Sequence, residues 1–502
     1  MKQPAALFGA SCAFVAGTLL TQNISFATEL AGIPFSIQGS TTLLYRSFSD
    51  SFLERTHAPD HDRWEFYSRT ILDLSRGPVI GGIQLDINAF DRSDSDAEVH
   101  KWYLEYRGSA LTATAGDFFA AFGRGTALSV VKTHESYGME NQVDDTIRGG
   151  RLRYLGERIQ AEAVGGRVRG STAAGDDIYG GTVSLRLARW LGTGASAVKA
   201  RMKDEDRDVD TAGLNVTLQD PDGAVEIYIE LAGSSFSRPY PNGATNGQAA
   251  YVEAAVHTGD LSITTEYESL KDYFFQYSTP PILEVQSEEL LADFFAVDRE
   301  NLQAARIRAD YTRGPDIFSG YYAHYAQRAS RRPPYPAYAR QIDAYALGYE
   351  RSFESGFHIE ASLGRRQEDG GGYYFQFSGP TTYGRAFLEV PLPWAFSSTV
   401  EYRRAQLDGD YVQYQRNKLA VSIAKSQLFS LAGVWESSNL PSELFENGKE
   451  NFYYAQAEIK LMKRHLLSIF AGETRGGTKC SGGVCKYVPA FGGVRVEAVI
   501  RF

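Results

Sequence analysis

The chain has 502 residues, a net charge of −10 and an aromatic content of 13%, with 30 tyrosines and 29 phenylalanines. The acidic balance argues against nucleic-acid binding, because the phosphate backbone attracts basic proteins. Beyond residue 27 there is no apolar run of about 18 residues, so the sequence offers no transmembrane helix.

The first segment has the features of a secretory signal peptide. Lys2 supplies a positive start, residues 5–20 are mostly apolar, and Ser25-Phe26-Ala27 fits a cleavage site with small residues. We therefore expect residues 1–27 to be removed and residues 28–502 to form the folded protein. Cys12 lies in the apolar part and is interpreted as signal sequence.

Segments that alternate apolar and polar residues recur from Pro34 to Phe502, separated in turn by short and long connections. The first are "FSIQGSTTLLY", "WEFYSRTILDL" and "VIGGIQLDINAF", with the short turn "SRGP" between the second and the third. Counting them predicts about 24 strands, within a range of 22–26, in an all-β fold. The expected architecture is a single antiparallel transmembrane β-barrel with both termini periplasmic. Its longest extracellular loops are expected near residues 118–142 and 271–300.

The polar faces of these strands carry many charges. A dry protein core could not hold them, since each unpaired buried charge costs several kcal/mol, whereas a water-filled lumen can. A soluble propeller would show a repeat of about 40 residues, which is absent. The side chains predicted to line the pore are Arg151, Arg153, Lys199, Arg201, Arg306, Arg308, Asp310, Glu401, Arg403, Glu458, Lys460, Arg495 and Glu497.

The segment "GDFFAAFGRGTALSVV", Gly116 to Val131, is too apolar for an outer loop in water. One interpretation is a strand end within an aromatic girdle at the membrane interface. The other is a constriction loop folded into the barrel, formed by Phe118, Phe119, Phe122 and Arg124. The glycines on both sides of Arg124 would let that residue approach the pore.

Catalytic and metal-binding motifs are missing from the sequence. No HExxH, GxSxG or P-loop pattern occurs, and no CxxCH motif that would attach a haem. We therefore expect neither an enzyme nor a bound metal or cofactor. Cys480 and Cys485 are separated by four residues in "KCSGGVCK", and an exported protein permits a disulfide between them.

The last strand, "VRVEAVIRF", alternates to the terminal Phe502. Gram-negative outer-membrane barrels usually finish in this way, and the final aromatic residue is read by their assembly machinery. We interpret Phe502 as such a C-terminal assembly signal.

Four stretches carry a more specific resemblance: "GDFFAAFGRGTALSV", "YGMENQVDDTIRGGRLRY", "STPPIL" and "CKYVPAFGGVRVEAVIRF". With them the chain resembles an uncharacterised family of large, porin-like Gram-negative outer-membrane β-barrels, carried as a domain of unknown function. The resemblance implies the fold and the outer-membrane location and brings no catalytic residues.

Two functions remain open from the sequence. The first is a porin-like channel for passive passage of solutes and ions. The second is a barrel sheath around a periplasmic or lumenal multihaem cytochrome, which would conduct electrons across the outer membrane. An active importer is disfavoured, because no plug of over a hundred residues precedes the first strand. The expected partners are outer-membrane lipid, lipopolysaccharide and the barrel assembly machinery.

Overall fold

A computed structural model describes residues 27–30, 33–55, 62–130, 145–169, 175–239, 243–273, 277, 301–327, 340–369, 379–409, 413–426, 428–439, 451–462, 464–475, 477–481, 484–488 and 490–502. Residues 1–26 of the predicted signal peptide, residues 131–142 of the first long predicted loop and most of the second lie outside these residues. None of the helices in the described ranges is long and apolar enough to cross a membrane.

The described residues form strands almost throughout. The first half contains β1 (Ala27–Leu30), β2 (Ile33–Phe48), β3 (Trp64–Arg76), β4 (Val79–Phe90), β5 (Asp96–Arg107), β6 (Leu111–Phe118), β7 (Ala120–Phe122), β8 (Leu128–Val130), β9 (Thr146–Leu155), β10 (Ile159–Arg169), β11 (Asp177–Ala188), β12 (Leu191–Met202), β13 (Arg207–Gln219), β14 (Val225–Phe236), β15 (Asn246–Thr258) and β16 (Leu261–Lys271).

The second half contains β17 (Leu302–Arg313), β18 (Asp316–Gln327), β19 (Arg340–Ser352), β20 (His358–Asp369), β21 (Gly379–Leu392), β22 (Phe396–Asp408), β23 (Gln413–Lys425), β24 (Phe429–Ser438), β25 (Asn451–Leu461), β26 (His465–Thr474), β27 (Gly477–Ser481), β28 (Val484–Val488) and β29 (Phe491–Arg501). A short helix α1 (Asp50–Arg55) follows β2, and a 3-10 turn (Pro393–Ala395) precedes β22.

One sheet of 25 strands dominates the described chain, and 24 of them form a closed ring, because β1 pairs only with β2. Each ring strand is antiparallel to both neighbours. The ring closes where β2 pairs with β29, from Ser40 opposite Arg501 to Phe48 opposite Gly493. Closure leaves no unpaired strand edge for lipid to meet. The predicted all-β barrel of about 24 strands is confirmed.

The connections at the two ends of the ring differ in length. Short turns lie at the end where β2 begins and β29 finishes, here called the turn rim; the other end is the loop rim. The turn between β3 and β4 contains Gly77 at φ +55°, a left-handed conformation that glycine adopts without strain. That the turn rim faces the periplasm remains a prediction.

Large apolar side chains are exposed around the outside of the ring. Leu347 and Leu363 are direct neighbours on β19 and β20 and are 72% and 65% exposed. The exposed Tyr179 and Trp190 lie eleven residues apart along β11 and its turn. At about 3.3 Å per residue and a tilt of roughly 40°, they are separated by about 28 Å, close to the thickness of a bilayer core. This outer belt, on a closed barrel with a polar interior, makes the protein a bacterial outer-membrane protein.

Most of the buried apolar residues lie inside the ring towards the loop rim. The largest cluster joins β7 and β8 to the inner faces of β9 to β13, and includes Phe122, Leu128, Val198 and Ala200. A smaller cluster holds Phe52 and Leu53 of α1 against Phe452. The core of this barrel is therefore a lining of its inner wall.

Candidate functional site: the inner hairpin and the lumen wall

The chain between β6 and β9 turns into the barrel. β7 and β8 pair as a small hairpin, from Ala120 opposite Val130 to Phe122 opposite Leu128. We call residues 118–130 the inner hairpin. Phe122 and Leu128 are fully buried and pack with Ile178, Val198 and Ala200. These contacts lie on the face of the sheet opposite the exposed outer belt, so the hairpin is inside the ring.

Polar contacts fix the hairpin along its length. The Arg124 N–H donates to Glu230 Oε2 at 2.9 Å, and the Tyr273 hydroxyl donates to the Thr126 carbonyl at 2.6 Å. The Ser129 N–H donates to the Tyr277 carbonyl at 2.5 Å. The anchors come from β14 and from the chain after β16, which are remote in sequence.

Tyr277 is itself held in place. Its hydroxyl donates to Asp176 Oδ2 at 2.8 Å. Burial first, and then the Asp176 carboxylate, raise the pKa of Tyr277 above its ordinary value. The hydroxyl therefore stays protonated and remains a hydrogen-bond donor at neutral pH.

Glycine is favoured at the tip of the hairpin. Gly123 has φ +63°, and a β-carbon there would overlap the Glu230 carboxylate. With no side chain at this position, the backbone approaches the wall closely enough for the Arg124 N–H to reach Glu230.

The Arg124 side chain continues along the wall from this anchor. Its Nη2 atom lies 3.1 Å from Glu253 Oε2, and its guanidinium carbon lies 4.9 Å from the centroid of the Tyr228 ring. The side chain is 43% exposed, so one side of the guanidinium is open to the lumen. This combination of ion pair and cation–π contact holds a planar cation in a defined place.

Most residues predicted to line the pore lie on strand faces opposite the outer belt. On β9, Arg151 and Arg153 both pair with Glu162, at 3.0 and 3.1 Å, whereas Leu152 between them is exposed. Arg306 donates to Glu266 at 2.6 Å, and Arg308 to Asp310 at 2.8 Å.

The predicted residues on β22, β25 and β29 also lie on the inner face. Arg403 donates to Glu401 at 2.9 Å, and Gln456 donates to Glu458 at 3.0 Å. Lys460 shares the face of Glu458 by alternation along β25. Arg495 lies over the Phe470 ring at 5.1 Å, and Glu497 lines a cavity in the barrel wall. Whether these side chains border the path of a solute remains a prediction.

Lys199 and Arg201 do not face the lumen, and their prediction as pore-lining residues is wrong. Val198 and Ala200 alternate with them along β12 and pack against the inner hairpin. Lys199 lies opposite the exposed Tyr179 and pairs with Asp208 at 3.2 Å. Arg201 pairs with the same aspartate at 3.4 Å. Alternation separates two faces without showing which is inside, and here the hairpin makes the apolar face the inner one.

Sequence reasoning missed the wall residues that receive the hairpin. Glu230, Glu253 and Glu266 meet there, together with Tyr228 and Tyr251. A signal was present, since Tyr228 and Glu230 alternate with Ile227 and Ile229 in "EIYIEL". The strand pattern could not reveal that three strands bring these groups to one spot.

A cavity of about 630 Å³ lies in the wall on the other side of the hairpin base, lined by Tyr103, Arg107, Phe118, Phe119 and Glu497 among others. Lys101 Nζ lies 5.3 Å from the centroid of the Phe119 ring. The Tyr103 hydroxyl donates to Asp73 at 2.8 Å. Phe118 and Phe119 thus form the wall side of the hairpin base.

The remaining predictions concern the disulfide, metal binding and the C-terminal Phe502. Cys480 and Cys485 are direct partners in the β27–β28 register, but their side chains lie outside the described part, so the disulfide stays a prediction. Among the described residues, no three His, Cys, Asp or Glu side chains are grouped in a way that could hold a metal ion. Phe502 ends the closing strand, where its N–H donates to the Gly39 carbonyl at 3.0 Å.

Comparison with solved structures supports the fold. The chain is similar to an Escherichia coli P pilus tip assembly intermediate, PapC-PapD-PapK-PapG, at 13% identity, with 95% of this chain and 62% of that chain covered and a TM-score of 0.53. It is also similar to the P pilus usher (PapC) translocation pore, at 10% identity, 93% and 99% coverage and a TM-score of 0.44. For Pseudomonas aeruginosa OccK3 (OpdO) the identity is 16%, the coverage 74% and 96%, and the TM-score 0.39.

Of these three, the first has a TM-score above 0.5 and supports the fold, and at 13% identity it shows likeness of fold alone. No curated protein matches the sequence. A family model, described as a family of unknown function, DUF6029, matches residues 69–291 and 402–502. Because those two segments make up more than half of the chain, the protein belongs to the DUF6029 family.

Proposed function

We propose that this barrel is a porin-like channel through which ions and small solutes pass the outer membrane passively. The observation that carries the proposal is the charged inner wall. Arg69 pairs with Asp86 at 2.8 Å, Arg151 with Glu162 at 3.0 Å, and Arg416 with Glu436 at 2.9 Å. Rows of charges at this density are stable where water reaches them and costly in a dry core.

The width of the ring supports a constricting role for the inner hairpin. With strands about 4.8 Å apart and a tilt of roughly 40°, a ring of this size has a backbone diameter of roughly 45–50 Å. Such an opening would not retain small molecules. A hairpin docked on one wall narrows it, and the charges of the remaining wall set the preference for ions and solutes. This mechanism needs neither catalysis nor a cofactor.

The same width fits the alternative function, a sheath around a multihaem cytochrome. The partner would then fill the lumen and carry the electrons, and the barrel would conduct no ions by itself. A measurement of ion conductance by the barrel alone therefore distinguishes the two functions.

That measurement is single-channel conductance of the purified barrel in a planar bilayer, with a variant that lacks residues 120–130. We expect steady openings that become larger in the deletion variant. Leu347→Ala, which changes only the lipid-facing belt, is the control and should conduct like the unaltered barrel. Silence of all three proteins would contradict the proposal. A haem protein that co-purifies from the native membrane would then support the sheath.

A further inference from the structure

We propose that the inner wall carries a binding site for organic cations of the guanidinium class, which the hairpin's own Arg124 occupies in this structure. The site consists of Tyr228, Glu230, Tyr251, Glu253 and Glu266, here called the glutamate cage. The inference deepens the proposed channel function and rests on it only for transport, since binding can be measured independently.

The cage is assembled from three neighbouring strands. Tyr228 of β14 lies opposite Glu253 of β15, which in turn lies opposite Glu266 of β16. Glu230 lies opposite Tyr251 in the same register. Side chains directly opposite one another share a face of the sheet, so the five groups converge on one patch of the inner wall.

Hydrogen bonds hold the cage in shape. The Tyr251 hydroxyl lies 3.1 Å from both Glu253 and Glu266, and the Tyr228 hydroxyl donates to Glu230 at 2.9 Å. Both hydroxyls are thereby directed at carboxylates. The Tyr228 ring face remains available to a cation, as its contact with Arg124 shows.

Arg124 demonstrates which chemistry the cage accepts. Its guanidinium contacts one carboxylate and one aromatic face together, at 3.1 Å from Glu253 and 4.9 Å from the Tyr228 centroid. It reaches the cage from the hairpin, not from the wall, and is partly open to the lumen. A planar, delocalised cation satisfies both contacts at once, which a compact hydrated ion does less well.

Charge also favours a cation once Arg124 leaves. Arg306 lies in an ion pair with Glu266. Without the Arg124 guanidinium, the cage loses the positive charge that lies 3.1 Å from Glu253. A guanidinium from solution would replace the missing charge and the missing ring contact.

The test uses ethylguanidinium as the probe and ethylurea, its neutral isostere, as the control ligand. Isothermal titration calorimetry on the detergent-solubilised barrel compares the unaltered protein, Arg124→Ala and Arg124→Ala with Glu253→Gln. We expect Arg124→Ala to bind ethylguanidinium about tenfold more tightly than the unaltered protein, a difference of about 1.4 kcal/mol. The added Glu253→Gln substitution should abolish the gain, and ethylurea should bind to none of them.

Arg308→Ala is the matched control variant. It also removes an exposed inner-wall arginine, one that pairs with Asp310, but it opens no tyrosine cage. Equal gains in Arg124→Ala and Arg308→Ala would overturn the inference, as would no gain in Arg124→Ala or equal binding of ethylurea.

Conductance then separates this inference from the proposed function. Binding to Arg124→Ala with a silent barrel would support the cage and contradict the channel. A conducting barrel whose Arg124→Ala variant binds no ethylguanidinium would support the channel and overturn the cage.

Discussion

At the scale of single residues, one glycine decides where the hairpin docks. Gly123 combines a left-handed backbone with close contact to the Glu230 carboxylate, and both conditions disfavour a side chain. Its neighbour Arg124 can then donate its N–H to Glu230 and extend its guanidinium to Glu253. The arginine is thus positioned by a residue that makes no side-chain contact at all.

Gly123→Val should release the hairpin from the wall. The substitution adds left-handed strain of about 1–2 kcal/mol and a steric overlap with Glu230. We expect backbone amides of residues 120–130 to exchange with solvent at least about tenfold faster, measured by hydrogen–deuterium exchange mass spectrometry. Gly150→Ala is the control, because a β-carbon there meets open space. Unchanged exchange in Gly123→Val would show that the tip does not hold the hairpin.

At the scale of elements, each strand has one face towards lipid and one towards the lumen. On β19 and β20 the apolar Leu347 and Leu363 are the outer pair. On β12, near the loop rim, the inner hairpin packs against the apolar face of the strand. Val198 and Ala200 therefore lie inside, while Lys199 and Arg201 lie outside. The facing of a strand therefore depends on what fills the barrel beside it.

Leu347→Arg should impair folding, because an arginine near the bilayer midplane on the lipid face costs about 2–4 kcal/mol. The free energy of unfolding is measured by urea titration of the barrel refolded in lipid vesicles. Ser468→Arg is the matched control: it lies on the inner face of β26, between Glu458 and Glu497, and should cost little. Equal losses in the two variants would contradict the assigned faces.

At the scale of the whole molecule, the barrel depends on pairing between its first and last ring strands. Gly39 and Phe502 exchange both backbone hydrogen bonds. Hydrogen-bonded and non-hydrogen-bonded residue pairs therefore alternate from this point along the seam, the pairing of β2 with β29. Thr42 and Val499 then form a non-hydrogen-bonded pair, the type in which side chains come closest. A shift of one residue would turn every side chain of β29 to the other face.

A disulfide placed across the seam should form only in this register. Thr42→Cys with Val499→Cys, in a chain whose Cys480 and Cys485 are replaced by serine, should give a cross-linked peptide detected by mass spectrometry. Thr42→Cys with Ala498→Cys places the thiols on opposite faces and should stay reduced. Cross-linking of the second pair in place of the first would show a different seam.

Alternation along the chain was sufficient to determine the barrel, its approximate strand number and its outer-membrane location. The reason is that lipid outside and water inside require a two-residue period in almost every strand. The same local pattern singled out Phe118, Phe119, Phe122 and Arg124 as unusual, but left their position open between a girdle and the lumen. Only the tertiary structure placed the hairpin inside, turned Lys199 and Arg201 outward, and joined Glu230, Glu253 and Glu266. Those outcomes depend on contacts between groups about a hundred residues apart, such as Arg124 with Glu230, and a local period carries no information about them.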